Sequence, residues 1–106
     1  MKEAYPVLLT KTKDTKNTIL VEVPDLNIQT EGYGIADAIE MARDAIGLEI
    51  ITREDEGIDI KEPSAIEKIN KDEGIFSGEG ETCVTYVDVD LAEYRKKVDR
   101  LSLIHI

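Results

Sequence analysis

The sequence predicts an α+β fold: a three-to-four-stranded, largely antiparallel sheet with one main helix packed on one face. Ile19, Val21 and Val23 share one face at the two-residue period of a half-buried strand. Ile35, Ile39, Ala42, Ile46 and Ile50 recur at three- and four-residue spacing, the stripe of a core-facing helix. Strand-like segments lie on both sides of that helix, in the order β-β-β-α-(α)-β, which layers a helix on one sheet. At 106 residues the chain is one domain with one modest core.

Tyr5-Pro6-Val7-Leu8-Leu9-Thr10 reads as the first strand, its proline confined to the start. The polar turn Lys11 to Lys16 leads into a second strand, Asn17 to Val23, stopped by Pro24. Ile28-Gln29-Thr30 extends the hairpin by a third short strand, broken by Gly32-Tyr33-Gly34. The long helix opens there and ends before Gly57. Gly34 stands where Ser, Thr or Asp would cap the free amides, so the cap is weak. The early acid Asp37 suits the positive end of the helix.

Ser64-Ala65-Ile66-Glu67 fits a capping box and predicts a short helix from Ala65 to about Asn70. Asn70 to Glu81 reads as a mobile loop. Thr82 to Asp90 is the last strand. Thr82, Val84, Tyr86 and Val89 do not share one phase, which leaves room for a bulge near Val87. Leu91 to Val98 is helical or extended and holds the basic group Arg95-Lys96-Lys97.

Thirteen basic residues against 23 acidic ones leave a formal charge of −10. Residues 31–62 hold ten acids against Arg43, Arg53 and Lys61, a local −7. Two readings fit this third of the chain: a solvated helix face with a soluble loop, or a surface complementary to a basic partner. So acidic a chain repels phosphate backbones and makes nucleic acid an unfavourable partner. No apolar run is long enough to span a membrane, and the start has no signal-peptide core, so a cytoplasmic location is expected.

Little in the sequence supports chemistry. His105, the sole histidine, is one residue from the end, where a general base finds no fixed neighbour. Cys83, the sole cysteine, reads as a small buried strand residue. A metal-dependent nuclease needs acids converging from neighbouring strands, yet Tyr5 to Thr10 has none and the second strand only Glu22. Gly78-Glu79-Gly80 lacks the lysine of a phosphate loop. The expectation is no catalytic residue, no metal and no cofactor.

The order of short motifs says more. Tyr5-Pro6-Val7, Val23-Pro24-Asp25-Leu26, Glu31-Gly32, the helix from Ile35 to Ile46, Ile60-Lys61-Glu62-Pro63-Ser64, and Val87 to Leu91 with Tyr94-Arg95-Lys96-Lys97 follow one another as in the HicB antitoxins. The chain resembles that family from about Ala4 to Val98. The resemblance implies a partial ribonuclease-H-like fold without catalysis, which binds and silences a small, basic HicA-type toxin that degrades messenger RNA through a histidine. Two features depart from the family. Leu26 to Glu31 lacks its usual Pro-Gly-Cys-type turn, and many relatives continue into a DNA-reading segment, whereas here Leu101 to Ile106 is apolar. The expected organisation is an antitoxin domain over 1–98 and an atypical tail over 99–106, with no DNA-binding domain.

The expected partner surface is the acids near the sheet and the helix start: Glu22, Asp25, Glu31, Asp37, Glu40 and Asp44, with Tyr33 as the aromatic anchor. Unpaired sheet edges add the expectation of a homodimer or a higher even oligomer. The rivals are a solitary regulatory or oligomerisation module without a toxin, and a residual metal-dependent nuclease.

Overall fold

A computed structural model describes residues 2–104, with side chains through Val98. Four strands, β1 (Lys2–Thr12), β2 (Thr18–Val23), β3 (Ile28–Tyr33) and β4 (Gly80–Asp90), form one antiparallel sheet in the order β3-β2-β1-β4. Helix α1 (Ile35–Glu56) lies between β3 and β4 in sequence, and α2 (Leu91–Ile104) follows β4 directly. The backbone of α2 continues across position 98, where the sequence reading ends the domain. His105, with Ile106, lies outside the described residues.

Tight turns with polar side chains connect the strands. Asp14 Oδ1 accepts the amides of Lys16 and Thr18, and Asn17 takes a left-handed φ of 59°. The step into β3 runs through a 3-10 turn, Pro24–Leu26, closed by Asn27 at φ 54°. Asparagine tolerates this region because its short side chain bonds locally.

The core is the sheet face under α1. Tyr5, Val7 and Leu9 of β1, Ile19, Val21 and Val23 of β2, and Val87 and Val89 of β4 pack against Ala38, Ala42, Ile46 and Ile50. Ile39 is half-buried at the margin, and Ile35 is exposed although it belongs to the periodic stripe.

β1 is buried on both faces, including Pro6, Leu8 and Thr10. The second face is covered by the segment after α1, a strap of irregular chain with 3-10 turns at Ile66–Lys68, Lys71–Glu73 and Ser77–Glu79. This replaces the short helix and mobile loop expected from the sequence. Ser64 caps no helix, because its amide and hydroxyl both donate to Asp25. The β1–β4 register is unbroken from Lys2↔Asp90 to Thr12↔Gly80, so β4 has no bulge near Val87. Its apolar residues change phase because Val87 and Val89 face α1, while Tyr86 faces the strap and accepts the Ile66 amide at 2.9 Å. Cys83 is exposed, contrary to the sequence reading, because it stands near the start of an edge strand beyond the cover of α1.

Candidate protein-interaction site

The seven acidic and aromatic residues singled out from the sequence fall into three places. Glu31, Tyr33 and Asp37 meet at the corner where β3 turns into α1. Gly32 allows that corner: a Cβ there would lie 2.7 Å from the Ala38 backbone. Gly34 completes the turn at φ 92°, a conformation reserved for glycine. Asp37 Oδ2 reaches back to accept the Tyr33 amide at 2.8 Å, so the helix start is held by a carboxylate in its first turn. The Tyr33 ring is 61% exposed, with Ile35 exposed beside it.

Glu40 and Asp44 lie on the same helix but are engaged in it. Glu40 pairs with Arg43, whose guanidinium also reaches Asp88 Oδ1 at 3.2 Å and, through Nε, the Asp88 carbonyl at 2.9 Å. The Arg43 contact holds the Asp88 carboxyl below its ordinary value. Asp44 Oδ1 accepts the Tyr94 hydroxyl at 3.0 Å. Burial, reinforced by the neighbouring Asp44 carboxylate, pushes the Tyr94 phenol up to about 12.

Glu22, on the sheet face away from α1, and Asp25, in the 3-10 turn after β2, hold the strap. Glu22 Oε1 accepts the Ile75 amide at 3.1 Å. Asp25, its side chain only 2% exposed, accepts the Ser64 amide and hydroxyl at 2.7 Å each and pairs with Lys61 Nζ at 2.8 Å. Burial disfavours its charge, but the bonds from Lys61 and Ser64 outweigh that and hold the carboxyl below its ordinary value. The Tyr5 hydroxyl adds a fourth anchor by donating to the Lys61 carbonyl at 2.8 Å.

The sequence reading did not single out the cleft of about 580 Å³ between α1, the end of β4 and α2, lined by Arg43, Val89, Asp90, Tyr94, Lys96 and Lys97. Its available signal was Gly47, a glycine inside a strong helical pattern. Tyr94 packs on that glycine, where a Cβ would stand 2.7 Å from the ring. Among the described residues no group of three or more His, Cys, Asp and Glu side chains is placed to hold a metal ion. No helix among them is long and apolar enough to cross a membrane. The arrangement offers surfaces for contact.

The family model of HicB-like antitoxins of bacterial toxin–antitoxin systems matches residues 5–104. The chain belongs to the HicB-like antitoxin family. Solved structures agree with this. A toxin–antitoxin complex from Streptococcus pneumoniae contains a chain 26% identical, aligned over 89% of this antitoxin and 73% of that chain with a TM-score of 0.71. The N-terminal domain of the Burkholderia pseudomallei antitoxin HicB is 28% identical over 83% of this chain and 99% of its own, with a TM-score of 0.64. The B. pseudomallei antitoxin HicB itself matches at 26% identity and a TM-score of 0.64, over 87% of this chain and 65% of its own. A search of curated protein sequences returned no match. In this HicB-like antitoxin the four-stranded sheet and its main helix are those of the HicB N-terminal domain, as the sequence motifs imply.

Proposed function

We propose that this antitoxin neutralises a small, basic HicA-type ribonuclease by binding it and covering its RNA-binding surface, with no chemistry of its own. The observation that carries this reading is the corner of Glu31, Tyr33 and Asp37. It sets an exposed aromatic ring among carboxylates on a chain of net charge −10. A ribonuclease needs positive potential to hold RNA, and the same potential draws it to such a corner. The Streptococcus pneumoniae match, a toxin–antitoxin complex, supports a protein partner. Glu40 and Asp44 border the corner and contribute to its field, whereas Glu22 and Asp25 are occupied in holding the strap. The protein acts in the cytoplasm as a homodimer or higher even oligomer, needs no cofactor, and leaves nucleic acid alone.

Co-expression tests this. A reading frame beside this one should encode a small basic protein that arrests growth, and this chain should relieve the arrest. Reversing charge at Glu31 and Asp37 should slow capture and flatten its salt dependence, because exposed charges act chiefly on association rate. Growth arrest that this chain fails to relieve would sink the reading and favour a solitary regulatory module.

A further inference from the structure

We infer that the outer edge of β3 is a strand-addition site, where an extended basic segment of the toxin pairs with Gln29–Tyr33. The inference rests on the antitoxin reading above and specifies how the partner is held.

The phase of the β2–β3 ladder shows which backbone groups are free. The register pairs Thr18 with Tyr33, Leu20 with Glu31 and Glu22 with Gln29. Asn17 and Gly34 continue it, and the Gly34 amide donates to the Asn17 carbonyl at 2.8 Å. Antiparallel pairs alternate between bonded and non-bonded, so Gly32, Thr30 and Ile28 turn their backbone groups toward β2. Gln29, Glu31 and Tyr33 therefore turn theirs outward, along an edge with no neighbouring strand. The Tyr33 amide confirms the phase, since it is met from outside by Asp37. The amides and carbonyls of Gln29 and Glu31, and the carbonyl of Tyr33, remain for a partner.

The surroundings select that partner. Glu31 and Asp37 place negative charge on this edge, so basic side chains on the incoming strand find a counter-charge. Met41 and Leu48, exposed and seven residues apart, share one face of α1 with Asp37 and add apolar surface beyond it. A second copy fits less well, because two-fold pairing sets the Glu31 and Asp37 carboxylates against their own kind. The β4 edge is also less suited, because the Arg43 guanidinium occupies the Asp88 carbonyl and meets a basic strand with like charge.

The edge can be tested with one residue. Because the Glu31 amide points outward, Glu31→Pro removes a donor from the edge without removing a β2–β3 ladder bond, as proline requires within an edge strand. Glu31→Gln keeps the amide and removes the charge. The probe is the purified basic protein from the neighbouring reading frame, with capture measured at low and moderate salt. We expect Glu31→Pro to melt as wild type does and to bind about tenfold or more weakly, the loss of one main-chain bond and its neighbours. Glu31→Gln should lose affinity mainly at low salt. In the wild-type complex, hydrogen exchange at the Gln29 and Glu31 amides should slow. Capture by Glu31→Pro at wild-type strength, or unchanged exchange at those amides in the complex, overturns strand addition and leaves the antitoxin reading standing. Unchanged capture together with loss of a wild-type dimer assigns the edge to a second copy. If the wild-type chain does not capture the probe, the antitoxin reading fails and the edge proposal with it.

Discussion

Gly32 of β3 and Ala38 of α1 touch backbone to backbone: a Cβ on Gly32 would stand 2.7 Å from both the nitrogen and the Cα of Ala38. No flexible side-chain end is there to yield. Gly32→Ala therefore pushes the helix off the strand, at a cost of about 1–3 kcal/mol for overpacking. Urea denaturation should show that loss, and the Tyr33 amide should exchange faster as Asp37 is drawn away.

Gly34→Ser is the more instructive substitution. From the sequence, serine would improve a weak cap. With φ at 92°, any side chain at this position is strained, and the serine variant should lose about 1–3 kcal/mol in the same measurement. A gain in stability would show that the turn relaxes to an ordinary backbone angle.

Asp25 sets the acid limit of the strap. Its folded carboxyl lies below the ordinary 3.8. A depressed carboxyl contributes its full stability above the unfolded value and loses it as pH falls from there through the folded value. The chain should therefore keep this contribution at neutral pH and shed it below about pH 4. Asp25→Ala, which leaves the Ser64 donors unmet, should cost about 1–3 kcal/mol at pH 7 and flatten that acid limb in thermal melts.

Tyr94 reports on the docking of α2. In the wild type its phenol ionises at about 12, against an ordinary value of 10.0. Gly47→Ala displaces the ring from its seat, and Asp44→Asn removes the neighbouring charge. Ultraviolet titration should show one tyrosine returning toward its ordinary value in each variant. A titration curve identical to wild type would mean that the ring does not rest on Gly47.

Ile46 and Ile39 divide the helix between core and margin. Ile46 is fully buried, and Ile46→Ala should cost about 2–5 kcal/mol. Ile39 is half-buried, so its truncation should cost visibly less in equilibrium unfolding.

Regular periodicity made most of the fold legible. The alternation of Ile19, Val21 and Val23 and the stripe of Ala42, Ile46 and Ile50 each report burial against one neighbour, and the structure buries them. The strap was illegible for the opposite reason. It packs through isolated backbone amides donating to Glu22, Asp25 and Tyr86, and such bonds leave no repeat in the sequence. Ser64 shows the ambiguity well, since the residue type that caps a helix also donates to a buried carboxylate. At the candidate site, acidity was readable, but its division was not. Glu40 and Glu31 look alike in sequence, and only the fold gives Arg43 to one and an open strand edge to the other.

The position of β1 has a consequence for synthesis. Among the four strands it is made first, yet one of its two neighbours is β4, where Lys2 pairs with Asp90. The local hairpin with β2 can form early, but the second side of β1 waits until β4 has emerged. Closing so long a loop is slow, and until it closes Tyr5, Val7 and Leu9 lie along a bare edge. A ribosome stalled before Asp90 would therefore hold an unfinished sheet, so the supply of working antitoxin should depend on completed translation. Interrupted synthesis would yield a sticky fragment ready for proteolysis.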